Sequence, residues 1–490
     1  MAAAGMDSQA SVGATHASPL LRPVLRFSHF SRYVDVSPRT SFLAGTVLLL
    51  GAASLPAQGI RVPATVDTLA NGLTVIVHED HSAPISSVNI WYHTGSGYEK
   101  VGRTGFAHLF EHLMFMGSQH APYPQFDRLL EAAGGDNNGS TTEDRTNYYE
   151  NGPVNAVPLM LWLEADRMGW LIPVMDSAKV DAQRDIVKNE RRQSYENQPY
   201  GKVEDVMPAL LYPRGHPYSW PVIGSMADLS AASLDDVKDF FRKYYAPNNA
   251  TITIAGDVRR DSVLALVRRL FGSIPRGPAI ETPSVPTVKL VADTLVNLED
   301  QVQLPRLYYA WHTTRTWGND DAALDMAARI LSGSKSARLT QKLVYELQIA
   351  SNVNAGQNGM RFDGDFRITA TARPGHGLGE IQGIVDAELR KLAEEGPTAR
   401  ELDLAKNATE AGFLSSIQTV GGKANQLNAY YYQLGAPDGF QRDLDRYRAV
   451  TMADIKRVVG QYLLGPRVII GVVPNGKLAS DLIARPRITP

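Results

Sequence analysis

The chain has 490 residues, a formal net charge of -2, 44% hydrophobic and 20% charged residues, and no cysteine. This length predicts more than one domain, and the composition excludes disordered and fibrous proteins. Charges that nearly cancel provide no field to attract nucleic acid, so we expect no nucleic-acid partner. The absence of cysteine excludes disulfides, thiolate zinc sites and a cysteine nucleophile, which leaves His, Asp and Glu as metal ligands.

Residues 1–58 have the features of an export signal or an N-terminal extension. Two arginines precede a signal-like segment from Phe42 to Ala57, in which the apolar run is about 14 residues long. That run is shorter than the ~20 residues of an ordinary membrane span, and small residues follow it. We therefore predict export to a bacterial periplasm or secretion. A single N-terminal membrane anchor is the alternative.

The next elements predict an α+β fold. Alternating β-branched runs at residues 72–78 and 85–92 predict two strands joined by a turn. Residues 104–116 are mostly apolar and predict a buried helix that ends before Gly117. Helices and short strands then alternate as far as Asp257, a pattern typical of α+β domains.

A segment with four prolines, at 275, 278, 283 and 286, indicates a boundary between domains. We predict an N-terminal domain of residues 59–275, a linker of residues 276–287 and a C-terminal domain of residues 288–490.

An internal repeat supports this division. A helix followed by a strand ends each half of the chain, at residues 234–255 and again at residues 452–473. Duplication of one α+β domain would leave such a repeat. Chance similarity of two amphipathic helices is the alternative.

The segment His108-Leu-Phe-Glu111-His112 predicts a metal site. Histidines at i and i+4 share one face of a helix, where both can bind one zinc ion and leave a position for water. Coordination lowers the pKa of that water, and Glu111 can accept its proton as the water attacks a carbonyl. The site lies in an apolar stretch, where unpaired polar groups would cost several kcal/mol. Ordinary core or surface histidines are the alternative.

A third protein ligand must come from elsewhere in the chain. The best candidate is Glu190, in a helical run that begins near Asp181, because it follows Ile186 and Val187 by one turn and would share their buried face. Glu196 is the competitor, but it lies close to a proline where the helix would end.

The motif HxxEH resembles the inverted zinc motif of the pitrilysin and insulinase family of metallopeptidases, which includes mitochondrial processing peptidase and bacterial two-subunit relatives. The resemblance covers roughly Asp67 to Gly476. Other segments similar to the family pattern, in order, are Asn71-Gly72-Leu73, Gly95-Ser96, Gly105–Gly117, Arg184–Glu190, His216-Pro-Tyr218, Ile223-Gly224, Tyr245–Asn249 and Gly256-Asp257.

The resemblance implies two homologous α+β domains, each with a mostly antiparallel sheet flanked by helices, as in the LuxS/metallopeptidase-like fold. It implies one zinc ion per chain and a dimer that encloses a chamber for peptide substrates. It also implies that Asn138, Gly139, Ser140 and Thr141 form an edge strand to which a substrate backbone adds. A plain polar turn is the alternative for that segment.

Two departures from the family pattern bear on activity. Gln183 stands where many relatives have a second glutamate, and Val344 and Ser351 stand where many have an arginine and a tyrosine that reach the substrate carbonyl. We therefore expect a heterodimer with a homologous chain that supplies the arginine–tyrosine pair. A homodimer that uses Tyr345 or Arg338 is the alternative.

These observations together predict a zinc-dependent endopeptidase with Glu111 as general base. The main alternative is an assembly subunit that binds peptide without cleaving it. A metal-dependent hydrolase of non-peptide substrates rests on the metal chemistry alone.

Overall fold

The structure is a computed structural model that describes residues 59–283, 285–476 and 481–485. The predicted signal-like segment from Phe42 to Ala57 lies outside the described residues. From Gly59 onward the chain forms one compact unit. No helix in the described ranges is long and apolar enough to cross a membrane.

The first half of the chain builds a six-stranded sheet in the order β1-β2-β6-β3-β5-β4, which leaves β4 at one edge. The parallel pair is β2 with β6, and the other neighbours are antiparallel. The strands are β1 (Thr65–Thr68), β2 (Thr74–Glu79), β3 (Ile85–Tyr92), β4 (Asp136–Thr141), β5 (Thr146–Pro153) and β6 (Ala250–Gly256).

The second half builds a five-stranded sheet in the order β7-β11-β8-β10-β9. Here β7 and β11 are the parallel pair, and the other neighbours are antiparallel. Apart from β1, the two sheets therefore have the same strand order and directions. The strands are β7 (Thr294–Asp300), β8 (Arg306–Thr313), β9 (Ala350–Gly359), β10 (Gly364–Ala372) and β11 (Val468–Pro474).

Fourteen α-helices accompany these sheets in the described residues. Those of the first half are α1 (Phe106–Leu113), α2 (Gln125–Ala132), α3 (Val157–Trp170), α4 (Ser177–Arg191), α5 (Val203–Leu211), α6 (Met226–Ala231), α7 (Leu234–Tyr244) and α8 (Arg260–Phe271). Those of the second half are α9 (Asp321–Ser332), α10 (Leu378–Glu395), α11 (Ala399–Ser416), α12 (Val420–Leu434), α13 (Phe440–Ala449) and α14 (Met452–Val458).

The shared topology confirms the predicted α+β fold with two homologous parts. Helix α7 precedes β6 and helix α14 precedes β11, and these two strands take the same place in their sheets. Each half has its own large apolar core. Between them, residues 276–283 and 285–287 form neither helix nor strand.

Helix α12 belongs to the second half but packs on the first sheet. Asn428 is fully buried there, where its amide donates to the Asn89 carbonyl over 2.9 Å and accepts from the Thr253 hydroxyl over 2.8 Å. The other face of that sheet packs on the helices of its own half. Both faces of β6 are therefore covered, which explains why every residue of this strand is buried.

The helix predicted over residues 104–116 is shorter than expected. Gly105 has a left-handed backbone, with φ of 87°, so α1 begins at the next residue. After Leu113 the chain tightens into three-residue turns, because Phe115 and Met116 bond to the carbonyls three positions back.

Candidate metal centre

Helix α1 carries the histidine pair and is anchored at its N-terminus. The buried carboxylate of Glu99 accepts the backbone N–H groups of Gly105 and Ala107, at 2.9 and 2.7 Å. Oxygen acceptors at this end of a helix satisfy its free N–H groups, and burial raises the pKa of Glu99 to about 8. The apolar face of α1, which includes Phe110, packs into the first core. The anchor and the core together fix which way the polar face points.

Helix α4 supplies Glu190 one residue before its end. The helix is capped by Asp176, whose side chain accepts the Lys179 N–H over 2.9 Å, and Val187 packs into the core. The expectation that Ile186 is also buried is wrong, because its side chain is 47% exposed. Glu190 lies one turn beyond both residues, between the buried side of the helix that carries Val187 and the exposed side that carries Ile186, and its own side chain is 41% exposed.

The structure brings His108, His112 and Glu190 together. The Nε2 atom of His108 is 3.7 Å from one carboxylate oxygen of Glu190, and the Nε2 atom of His112 is 3.2 Å from the other. The ligand atoms of all three lie within 4.8 Å of one another, and no other group of three such residues occurs in the described parts of the chain. Glu196 lies outside this cluster, with its carboxylate 3.9 Å from Arg191.

These distances suit zinc. Ligand atoms ~2.0–2.1 Å from the ion in a tetrahedral array are about 3.4 Å apart, close to both His–Glu separations. Two imidazoles and one carboxylate leave the fourth position to a water or a substrate, as in catalytic rather than structural zinc sites. The donor set and its spacing therefore fit a catalytic zinc ion.

Burial and charge set the protonation of the ligands. Burial lowers the pKa of His108 to about 4, so its imidazole is neutral at pH 7, the form that binds a metal. The hydrogen bond with His112 lowers the pKa of Glu190, although partial burial opposes this shift. Both groups are thus in their metal-binding forms at neutral pH.

Glu111 lies on the same helix and faces the edge strand β4. The hydroxyl of Thr141 donates to its carboxylate over 2.6 Å. Burial raises the pKa of Glu111, and the bond from Thr141 lowers it. A carboxylate that is more basic than usual is better suited to accept a proton from water.

The segment predicted as an edge strand is β4, at the edge of the first sheet. Its residues alternate between two environments. Thr141 bonds to Glu111, and a Cβ on Gly139 would lie 3.2 Å from the Glu111 side chain. Ser140 faces the other way and donates to Asn147 over 2.6 Å, while Asn138 is exposed. Two of the four predicted residues therefore adjoin Glu111.

The residues that depart from the family pattern have local partners. Gln183 is buried and donates to the sulfur of Met116. Val344 packs against the second core, and Ser351 donates to the Thr371 carbonyl over 3.3 Å.

Arg338 and Tyr345 differ in how available they are. The Arg338 guanidinium forms a bidentate pair with Glu401, at 2.7 and 2.9 Å, and also donates to the Gly396 carbonyl. Tyr345 is 46% exposed.

Six histidines outside the cluster take part in hydrogen bonds of their own. These are His78, His81, His93, His120, His216 and His312.

Two residues that support the site were not predicted from the sequence. Glu99 holds the first turn of α1, and Arg145, next to the β4–β5 turn, adjoins Glu111 electrostatically.

Comparison with known proteins shows the family to which this chain belongs. Residues 74–219, which include all four candidate zinc-site residues, match the family model described as insulinase (peptidase family M16). Residues 231–409 match the model described as peptidase M16 inactive domain. The zinc protease PqqE of Helicobacter pylori is 30% identical over 429 residues, which cover 86% of this chain and 95% of that protein. The chain belongs to the M16 family.

Further relatives extend this M16 assignment. A probable mitochondrial-processing peptidase subunit beta of Arabidopsis thaliana is 22% identical over 420 residues, covering 83% of this chain and 78% of that protein. The crystal structure of a protease from Helicobacter pylori superposes with a TM-score of 0.80 at 27% identity, covering 84% of this chain and 99% of that one. The periplasmic protease PqqL of Escherichia coli has the same fold, with a TM-score of 0.71 at 18% identity, over 85% of this chain and 48% of that one.

Proposed function

We propose that this M16 chain is a zinc-dependent endopeptidase that cleaves peptides or unfolded polypeptides. The observation that carries the proposal is the position of Glu111, between a cluster of three zinc-type ligands and the free edge of β4. In the proposal His108, His112 and Glu190 hold one zinc ion per chain. When bound, zinc supplies Lewis-acid polarisation to the attacking water and the substrate carbonyl.

The residues of the chain then have distinct roles. Glu111 accepts the proton of the attacking water and delivers it to the leaving amine. Thr141 keeps the Glu111 carboxylate oriented through its 2.6 Å hydrogen bond. The edge of β4 that faces away from β5 binds an extended substrate backbone, which displaces the Asn138 side chain from the Gly139 N–H and tolerates varied side chains. Asn138, Gly139, Ser140 and Thr141 form this binding edge in the proposal.

Zinc content and peptide cleavage test the proposal together. We expect the purified chain to hold about one zinc ion and to cleave unfolded peptides after any required partner is added. Glu111→Gln keeps the ligands and should retain zinc while cleavage falls by at least a hundredfold, the range of a lost general base. If neither form cleaves a peptide under any of these conditions, the chain is instead a subunit that binds peptide without cutting it.

We further propose that the active centre is completed by a homologous partner chain with an arginine–tyrosine pair. Val344 and Ser351 occupy the corresponding positions here and offer no donor comparable to a guanidinium or a phenol. Adding the product of a related gene that has this pair but a broken zinc motif should raise the cleavage rate. Full activity of the single chain would refute the two-chain form and favour a homodimer that uses Tyr345 or Arg338.

We also propose that the chain is exported, with Phe42 to Ala57 as the signal segment. Cell fractionation and N-terminal sequencing of the mature protein test this. A mature chain that begins near residue 58 in the soluble periplasmic or secreted fraction is the expected result, whereas an uncleaved chain in the membrane fraction supports an anchor.

A further inference from the structure

The edge strand β4 has two faces, and one of them borders a large cavity that the metal centre does not use. The cavity has a volume of about 920 Å³. Its walls are β4, β5 and the outer end of β3 on one side and the first turn of α12 on the other. Asp136 and Ser140 of β4 line it, whereas Gly139 and Thr141 face Glu111.

A peptide that adds to β4 would place side chains in this cavity. Side chains of an added strand alternate between the two faces, in step with those of the strand to which it pairs. Alternate residues of the substrate would therefore point toward the zinc ligands, and the residues between them toward the cavity. Ser140 precedes Thr141, the residue bonded to Glu111, so this part of the cavity lies beside the catalytic centre.

Arg145 gives the Ser140 end of the cavity its charge. One guanidinium nitrogen donates to the Ser140 carbonyl over 2.8 Å, to the Ser140 hydroxyl over 2.6 Å and to Asn147 Oδ1 over 2.9 Å. The group also lies 5.1 Å from the ring centre of Trp91. All these acceptors are neutral, and none of the described carboxylates forms an ion pair with it.

The carboxylates of Glu111, Asp144 and Glu143 interact electrostatically with Arg145, but none of them accepts its hydrogen bonds. Asp144 accepts from the Tyr218 hydroxyl over 2.5 Å and from the backbone N–H of Arg361 over 2.9 Å. Glu111 is bonded to Thr141. Asp136 also lines the cavity, but it pairs across the sheet with Asn151, four residues along β4 from Ser140. At ~3.3 Å per residue that is about 13 Å away.

We propose that this cavity is a substrate subsite in which Arg145 binds an acidic side chain of a peptide paired with β4. A partly buried cation with neutral acceptors and free donor positions gains most from a carboxylate, which it can bind through charge-assisted hydrogen bonds. The N-terminus of α12 forms the facing wall and favours the same sign of charge. This inference rests on the proposed function, since it assumes that substrates add to β4.

A positional scan of peptide binding tests the subsite without relying on cleavage. The probe is a fluorescein-labelled, end-capped 12-residue peptide without charged residues, in which one Glu, or one Lys, is placed at each position in turn. Fluorescence anisotropy with the Glu111→Gln chain measures the dissociation constants. We expect Glu to tighten binding by about threefold to tenfold at alternate positions within the bound segment, and Lys to weaken it there.

Variants of Arg145 identify the group responsible. Arg145→Gln should abolish the preference for Glu, Arg145→Lys should retain a smaller one, and Arg145→Glu should reverse it in favour of Lys. The reversal is a result that a merely structural role of Arg145 would not produce. Arg61→Gln, at an exposed arginine outside the cavity, is the matched control and should bind like the parent chain. Equal melting temperatures verify that each variant is folded.

The outcomes separate the subsite from the peptidase activity. Equal binding of Glu and Lys peptides, binding of neither, or a Glu preference that persists in Arg145→Glu overturns the subsite. Cleavage of the same peptides by the unmodified chain, alone and with a partner, is measured separately. Cleavage without a Glu preference would leave the proposed function standing and remove the subsite. A preference for Glu in binding, with no cleavage under any condition, would support the subsite and contradict the proposed peptidase function.

Discussion

The hydrogen bond from Thr141 to Glu111 makes the acidity of the general base testable. Thr141→Val keeps the shape and the β-branch of the side chain but removes the hydroxyl that donates to the carboxylate over 2.6 Å. Burial already raises the pKa of Glu111, and this bond opposes the shift. Its loss should therefore raise the pKa of Glu111 further.

The size of the effect follows from the strength of such bonds. A hydrogen bond to a charged group contributes roughly 1.5–3 kcal/mol, and 1.36 kcal/mol corresponds to one pKa unit. Loss of the bond should therefore raise the pKa of Glu111 by about 1–2 pH units. Glu111 acts as a base only when ionised. The acidic limb of the pH profile of kcat/KM should therefore move to higher pH by about this amount, while zinc content stays the same.

The assay is peptide cleavage between pH 5 and 9, with the zinc content of each sample measured. Thr141→Ser retains a hydroxyl at the same place and is the control, because its profile should stay close to that of the unmodified chain. The contrary result is that Thr141→Val cleaves peptides with the acidic limb of its pH profile unchanged. That result would mean that the acidic limb does not reflect the ionisation of Glu111, and it would contradict the assignment of Glu111 as general base.

Three further changes test other parts of the structure. Glu190→Gln removes a charged ligand, so its zinc affinity should fall by more than the ~10–100-fold that loss of an outer-shell partner costs, as measured by competition with a chelator. Arg167→Met leaves the buried carboxylates of Glu150 and Glu164 without their cation and should lower the free energy of unfolding in urea by about 3–5 kcal/mol, with a smaller loss for Arg167→Lys. Gly105→Ala places a Cβ 2.5 Å from a backbone carbonyl at a left-handed position, and should lower both the melting temperature and the zinc content; an unchanged melting temperature would contradict the strain.

Local patterns in the sequence were sufficient for the parts of the fold that depend on short-range periodicity. The strand predicted over residues 85–92 is β3, and the predicted helix–strand repeats are α7 with β6 and α14 with β11. The apolar, β-branched runs are strands buried along nearly their whole length, and the apolar residues of α7 recur at helical spacing on its buried face. The same reasoning placed Glu190 on a helix but misjudged Ile186, since α4 covers the core with a narrow stripe only.

The substrate side of the site could not be predicted in the same way. The cavity beside Ser140 forms only because the first turn of α12, near Val420, lies against a sheet built from residues about 275 positions earlier. No spacing or composition connects the two segments. Arg145 looked like an ordinary polar residue next to a turn, and its lack of an ion pair is visible only when the neighbouring carboxylates are located in space.

The packing of the second half bears on the proposal that a partner chain completes the active centre. The positions at which the family resemblance implies an arginine and a tyrosine hold Val344, which packs against the second core, and Ser351, which donates to a backbone carbonyl. Arg338 is held by both oxygens of Glu401, so moving it toward a substrate would break a bidentate ion pair and leave a half-buried carboxylate uncompensated. Tyr345 is exposed, so its movement would break no ion pair. A phenol, however, provides one neutral hydrogen-bond donor, whereas an arginine provides several donors and a positive charge. These contacts therefore favour the proposed partner chain, as the source of a charged donor for the oxyanion, over a homodimer that uses Arg338 or Tyr345.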